Sequence, residues 1–270
     1  MPASPALRKG THSMNLSILG QLRNGLLLGI LMFLAAACAP VMRNYQGHHV
    51  FNPVYLFYLE SRDRDAWQKP DEVIQALALP PGASVADVGA GGGYFTEKLA
   101  RAVGSSGRVY ATDVQPVMIR KLRRRVEKQS LTNVTVIHSG FDDPGLPAQS
   151  CDLAFFSSVY KEIDGRVEYM KRLRYALKAG GRVAILEYRP NADAPGPEKK
   201  DRLPESQVID ELEAAGYRLE QRFEFLPREY FLIFEAGGPG RGVVNRGAPL
   251  PHPALGVNAP ATAQVVGEAG

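Results

Sequence analysis

Cysteine occurs only twice in the 270 residues, at Cys38 and Cys151, which excludes a disulfide-dense scaffold. Tryptophan occurs once, and the five histidines offer no metal-ligand spacing, since His48 and His49 are adjacent and chelate poorly. No metal is therefore expected. Short repeats are absent, which removes collagen-like and coiled-coil architectures. Long apolar runs are scarce too: Gly25–Ala39 is uncharged but fifteen residues long, short of the roughly 20 that span a bilayer. Residues 1–37 hold no acid, and their Arg8, Lys9 and Arg23 supply three of the four excess positive charges. A basic balance carried by a leader is no argument for a nucleic-acid partner. What remains is ordinary globular composition, 45% hydrophobic and 22% charged.

Arg23 followed by Gly25–Ala39 and small residues reads as a signal peptide over residues 1–37, with Met1 or Met14 as its start. Ala35-Ala36-Ala37-Cys38 resembles a bacterial lipobox, in which the cysteine thiol is acylated and becomes the new N-terminus. That resemblance implies a membrane partner reached through lipidated Cys38, and a place in the bacterial cell envelope, anchored in the outer membrane and facing the periplasm. A retained anchor, plain secretion, or a cytoplasmic protein whose leader is unused are the alternatives. At the other end, residues 237–270 hold eight Gly and five Pro and no Phe, Tyr or Trp. They cannot bury enough apolar surface to offset ordering entropy, and read as a disordered tail.

Between these ends, residues 38–69 form a lead-in and residues 70–236 a domain of alternating strands and helices. Strands are predicted at Ser84–Val88, Arg108–Thr112, Val134–His138, Asp152–Ser157, Arg182–Glu187, Tyr217–Leu226 and Glu229–Glu235. Helices are predicted over Asp71–Leu79, Tyr94–Val103, Pro116–Gln129, Arg166–Lys178 and Glu205–Ala215. Strands separated by helices pair in parallel through right-handed crossovers. The link Leu226-Pro227-Arg228 is too short for a crossover, so the last two strands must be antiparallel. The fold class is α/β: a Rossmann-like, doubly wound, mostly parallel seven-stranded sheet ending in an antiparallel hairpin.

The densest chemical signal is Asp87-Val88-Gly89-Ala90-Gly91-Gly92-Gly93-Tyr94, a glycine-rich turn between strand and helix. Such a turn lets a ligand approach the backbone and a helix N-terminus. A dinucleotide fingerprint needs glycine where Tyr94 stands. Asp87, two residues before the first glycine, would repel a pyrophosphate and attract an ammonium group. Asp113 ends the next strand, where a carboxylate can accept from two ribose hydroxyls or merely cap the following helix.

Together these residues resemble the class I S-adenosylmethionine-dependent methyltransferases over roughly Pro70 to Ala236. A leading Arg64-Asp65-Ala66-Trp67-Gln68-Lys69-Pro70 is similar to a segment shared by a group of bacterial predicted methyltransferases. The resemblance implies S-adenosyl-L-methionine as cofactor. The residues it implies for binding are Asp87, Gly89, Gly91, Gly93, Tyr94, Asp113, Val114, Asp142 and Ser157, with Asp142, or its neighbour Asp143, at the adenine amine; a plain Asp-Pro-Gly turn is the alternative there. The Trp67 segment reads either as a lid over the cofactor or as helix packing.

After the fourth strand come Ser157-Ser158-Val159-Tyr160-Lys161-Glu162. The related group usually carries paired histidines where Lys161 and Glu162 stand. Tyr160 and Lys161 are the candidate catalytic residues, Lys161 as a base or an anion contact. The bland alternative is an exposed Lys161–Glu162 pair at the mouth of the site. The functional expectation is a methyltransferase acting on a small-molecule or lipid-like acceptor. The alternative is a non-catalytic, membrane-anchored module that only binds S-adenosylmethionine. The basic run Arg120–Arg125 reads as an exposed helix face, or as a contact for anionic headgroups.

Overall fold

Leu153, Ala154, Phe155 and Phe156 are all completely buried, although neighbours on a strand point to opposite faces. Only a central strand covered on both sides satisfies that pattern. The computed structural model describes residues 44–45, 47–49, 63–193, 196–237 and 244–246. Among them are a short antiparallel strand pair, Asn44–Tyr45 with His48–His49, an edge strand Val244–Arg246, and the seven strands of the expected sheet: β1 Ser84–Val88, β2 Arg108–Asp113, β3 Val134–His138, β4 Cys151–Ser157, β5 Leu177–Tyr188, β6 Tyr217–Phe223 and β7 Glu229–Ala236. The α-helices are α1 Asp63–Gln68, α2 Pro70–Ala76, α3 Tyr94–Val103, α4 Pro116–Lys128, α5 Arg166–Leu173 and α6 Glu205–Ala214.

The sheet runs β3-β2-β1-β4-β5-β7-β6. β1 to β5 are parallel to one another, and β7 lies antiparallel to both β5 and β6. This is the Rossmann-like sheet expected from the sequence, with its antiparallel hairpin. Val85, Leu153, Phe155, Ala184 and Leu186 pack on one face against Val73, Phe95, Leu99 and Val103 of α2 and α3. Ala86, Ala154, Phe156, Val183 and Ile185 pack on the other against Met170, Leu173, Val208 and Leu212 of α5 and α6. The chain lays down β1, β2 and β3 outward, then returns to place β4 beside β1. That reversal opens a crevice at the strands' carboxyl ends, where α/β sheets bind ligands.

Three expectations need correction. The helix predicted to reach Lys178 ends at Leu173. The carbonyls of Tyr175 and Ala176 accept from the backbone N–H groups of Gln149, Ser150 and Cys151, so the turn belongs to the sheet and β5 begins at Leu177. The predicted Asp71–Leu79 helix runs Pro70–Ala76 and is preceded by the separate helix α1. In the tail, Val244–Arg246 pairs in parallel with β6, adding a short edge strand where no structure was expected. Residues 1–43, with the leader and Cys38, lie outside the described residues, as do 238–243 and 247–270. Among the described residues no helix is long and apolar enough to cross a membrane. On α4, Met118, Ile119 and Leu122 are buried while Arg120, Lys121, Arg123 and Arg124 face outward.

Phe155→Ala should cost about 3–5 kcal/mol of unfolding free energy, as expected for a buried aromatic truncated in a packed core. Tyr175→Ala, at a side chain left 78% exposed, should cost less than about 0.5 kcal/mol. Urea denaturation of the two variants checks the difference.

Candidate functional site

The carboxyl end of β1 delivers Asp87 and then the glycine turn into the crevice. Asp87 is 2% exposed on an otherwise apolar strand, and accepts from Thr96 Oγ1 at 2.5 Å. Burial pushes its carboxyl up to about 6, with the nearby Asp113 charge adding to the rise and Arg64 opposing it. The glycines divide the work. A Cβ at Gly89 would lie 2.3 Å from Val159 Cγ2, and one at Gly93 would lie 2.6 Å from Leu122 Cδ1, so both allow close packing. A Cβ at Gly91, where φ is +56°, would meet nothing within 4 Å. Gly91 therefore leaves an open cradle above the turn, beside the start of α3 at Tyr94.

Asp113 closes the turn from the neighbouring strand. Its Oδ2 accepts from the Gly91 N–H at 2.9 Å and its Oδ1 from the Gln115 N–H at 2.8 Å. Burial raises this carboxyl to about 6 as well, against the pull of those backbone donors. Each carboxylate oxygen keeps a second acceptor direction. The Val114 carbonyl accepts from His138 Nε2 at 3.0 Å, tying this strand end to β3.

Asp142 is the acid expected at the adenine amine. Asp142 has an 80% exposed side chain and pairs with Arg172 of α5 at 3.1 Å. Its neighbour Asp143 accepts from the Gly145 N–H at 2.8 Å, which makes the Asp-Pro-Gly segment a side-chain-braced turn.

At the end of β4, Ser157 Oγ is buried without a hydrogen-bond partner. An orphaned hydroxyl here is a polar group waiting for a ligand atom. Tyr160 is not placed for catalysis. Its ring is fully buried, stands edge-on to Phe156, and its hydroxyl donates to Glu211 Oε2 at 2.9 Å. Arg166 holds the same carboxylate at 2.7 Å, so the phenol is committed to the α6 side of the core. Lys161 is not the exposed rim residue of the bland alternative. Its side chain is only 7% exposed and pairs with Glu162, so the pair is no exposed ornament of the rim. Its backbone N–H donates to Glu187 Oε1 at 3.3 Å.

Sequence reasoning missed a second group of polar residues along this edge. Glu187 at the end of β5 and Glu229 at the start of β7 are 2% and 0% exposed. Gln68 Nε2 donates to both oxygens of Glu229, at 2.9 and 3.1 Å, and Ser158 Oγ donates to one at 3.4 Å. Burial is the main cause that pushes Glu229 up to about 8, and Glu187 adds to it while Arg64 opposes it. Arg64 donates to Gln68 Oε1 at 2.5 Å, and its guanidinium lies 3.8 Å from the centre of the Tyr94 ring. The lead-in helix α1 thus carries Arg64 and Gln68 into the site, while Trp67 packs against Tyr188 with Arg228 over its ring. The one signal in the sequence was a glutamate at the margin of each of two apolar strands.

An open glycine cradle, two buried carboxylates beside it and an orphaned serine hydroxyl fit a ligand carrying both a cation and hydroxyl groups. Gly91→Ala should therefore lower affinity for such a ligand while costing only about 1–2 kcal/mol of stability, the strain of its left-handed backbone. Gly89→Ala should lose more stability than Gly91→Ala, because its Cβ adds a clash with Val159. Thermal unfolding of the two variants, with and without S-adenosylhomocysteine, separates the effects.

Comparison with known proteins agrees with this geometry. A family model described as a methyltransferase domain matches residues 85–181, from β1 into β5. The demethylmenaquinone methyltransferase of Geobacillus sp. (strain WCH70) is 27% identical over 146 residues, which is 52% of this chain and 62% of that protein. The aklanonic acid methyltransferase DauC of Streptomyces sp. (strain C5) is 33% identical over 104 residues, 38% of this chain and 47% of that protein. The chain thus spans less than two thirds of the length of these relatives. A SAM-dependent methyltransferase from Aquifex aeolicus superposes with a TM-score of 0.67 at 27% identity, covering 69% of this chain and 99% of that one. The [4+2]-cyclase SpnF, with a TM-score of 0.55 and 16% identity over 66% of this chain and 84% of its own, shares the fold alone. Strand order, glycine turn and these matches together support a class I methyltransferase domain with S-adenosylmethionine as its cofactor.

Proposed function

We propose that the protein is an S-adenosylmethionine-dependent methyltransferase acting on a small-molecule or lipid-like acceptor, with quinone-type compounds the first to examine. The observation that carries the reading is Asp87 and Asp113 buried on either side of the open Gly91 cradle. When bound, the cofactor supplies an electrophilic sulfonium methyl group. The chain's own residues bind and orient. Asp87 offers a carboxylate to an ammonium, and the spare acceptor directions of Asp113 suit vicinal ribose hydroxyls. Ser157 offers its hydroxyl at the end of β4, where the reversal of strand order opens the crevice. The quinone-type acceptor is suggested by the Geobacillus relative, whose name gives a demethylmenaquinone.

The full chain should bind S-adenosylhomocysteine in titration calorimetry. Asp113→Ala should weaken binding by about 1.5–3 kcal/mol, the range for a hydrogen bond to a charged group. Because the ammonium favours ionised Asp87 and the ribose hydroxyls favour ionised Asp113, affinity should rise as pH climbs through about 6 and level off above it, and Asp87→Asn should lessen that rise. No binding by the intact protein would remove the methyltransferase reading. Binding without methyl transfer to any quinol or lipid extract would leave a binding module.

The proposal extends to location. Residues 1–37 and Cys38 read as a lipoprotein leader, which would anchor the domain in the cell envelope. Labelled fatty acid should enter the protein in a bacterial host and be lost in Cys38→Ser. Equal labelling of both proteins, or of neither, would exclude lipidation at this cysteine.

A further inference from the structure

Asp87 suits the cofactor's ammonium and Asp113 its ribose, but neither can receive the carboxylate at the amino-acid end of the molecule. That carboxylate sits on the same carbon as the ammonium, so a cation that receives it must stand beside Asp87. Taking a cation out of water costs free energy, and one found buried at such a place needs a reason. Arg64 is that cation. It is 7% exposed and comes from α1, outside the strand, turn and helix that form the cradle. Its charge and that of Asp87 each favour the ionised form of the other. Its guanidinium lies 3.8 Å from the centre of the Tyr94 ring and 5.6 Å from that of Phe95, the first two residues after the glycines. A further contact fixes how the group is turned. Arg64 Nε donates to Gln68 Oε1 at 2.5 Å, and the Gln68 amide is itself oriented by donating from Nε2 to both oxygens of Glu229. The planar fork is therefore set before any ligand arrives, as bidentate recognition of a carboxylate requires. The Tyr94 hydroxyl also donates to Asp65, so α1 is tied to the start of α3 at two adjacent residues.

We propose that Arg64 binds the carboxylate of the cofactor's amino-acid end, so that Asp87 and Arg64 together read the zwitterion. The proposal rests on the cofactor-binding reading above and adds the one charged group of the ligand that the glycine turn and its two acids leave without a partner. A carboxylate brought against Asp87 and Asp113 alone would be repelled, and in a poorly solvated site that repulsion is strong. Arg64 offsets it from the side opposite the sheet. The lead-in helix thereby becomes part of the cofactor site, and the strand-turn-helix unit is incomplete without it. A second cation, Lys98, approaches the Tyr94 ring from α3 itself, with Nζ 5.1 Å from the ring centre. It supplies a control, since its charge stands near the same ring without the link to Gln68.

The test is titration calorimetry of the full chain with two ligands, at mildly alkaline pH where Asp87 is ionised. One is S-adenosylhomocysteine; the other is its decarboxylated analogue, which keeps the ammonium and lacks the carboxylate. The wild type should prefer S-adenosylhomocysteine by about 10- to 100-fold, the order expected for one hydrogen-bonded charge pair. Arg64→Gln, which can still hydrogen-bond to Gln68, should abolish that preference by weakening S-adenosylhomocysteine while leaving the analogue's affinity nearly unchanged. Arg64→Lys, which keeps the charge without the fork, should retain part of the preference. Lys98→Ala should retain all of it. Equal affinity of the wild type for the two ligands overturns the proposal, whether or not the variants fold. So does a preference that survives undiminished in Arg64→Gln, which is what an arginine that merely props α1 against Tyr94 would give. Loss of the preference in Lys98→Ala overturns it as well. Binding of neither ligand by the wild type would instead overturn the cofactor reading on which the proposal rests.

Discussion

Four carboxylates, those of Asp87, Asp113, Glu187 and Glu229, are at most 7% exposed along the crevice edge of a sheet that is otherwise packed with apolar side chains. Taking a carboxylate out of water is expensive unless it is hydrogen-bonded or paired, so each one dictates what its surroundings must be. Asp113 draws in the Gly91 and Gln115 N–H groups and so fixes the shape of the turn. Asp87 requires Thr96 to sit one turn into α3, which sets where that helix starts relative to β1. Glu229 requires Gln68, and thereby decides that the lead-in folds back over the domain. The acids are where the fold meets its ligand chemistry.

The sheet was legible because its signals are local. Apolar runs of strand length, a glycine turn and helices between strands are read residue by residue, and parallel pairing follows from connection length. The end of α5 was not legible, because the carbonyls of Tyr175 and Ala176 just beyond it accept from the N–H groups of Gln149, Ser150 and Cys151, more than twenty positions away in the chain. Tyr160 failed for a related reason. On a single 3₁₀ turn after β4, one step of the backbone decides whether a side chain enters the crevice or the core, and an apolar space beside Phe156 with Glu211 at its end decided for the core.

The glycine turn with its two acids was easier to read than the polar group around Glu187 and Glu229, and the reason is physical. Binding the donor relies on backbone geometry that only particular residues allow, such as the left-handed Gly91, and on acids at strand ends, so its requirements are written as spacing. The polar group of Glu187, Glu229, Gln68 and Ser158 is assembled from the ends of β4 and β5, the start of β7 and α1, which are far apart in sequence. Glu187 and Glu229 come together only because β5 and β7 are antiparallel, in a register that sets Glu187 opposite Tyr230 and Tyr188 opposite Glu229. Spacing along the chain holds no trace of that register.

The same edge constrains the chemistry it can support. Lys161 and Arg64 are its mostly buried cations, set against the carboxylates of Asp87, Asp113 and Glu187 together with Glu162, while burial keeps Glu229 protonated near neutral pH. Such an edge disfavours an anionic acceptor, and favours a donor that carries positive charge over a product that has lost it, since opposite charges in a poorly solvated site interact strongly. Under the proposed function, the sulfonium is the species the site holds better and the neutral thioether the one it holds less well. An acceptor that arrives neutral, as a quinol would, meets no repulsion there. A fold shared with a cyclase leaves the reaction open, so it is this distribution of charge, more than the strand order, that separates a methyl-transfer site from another use of the same sheet.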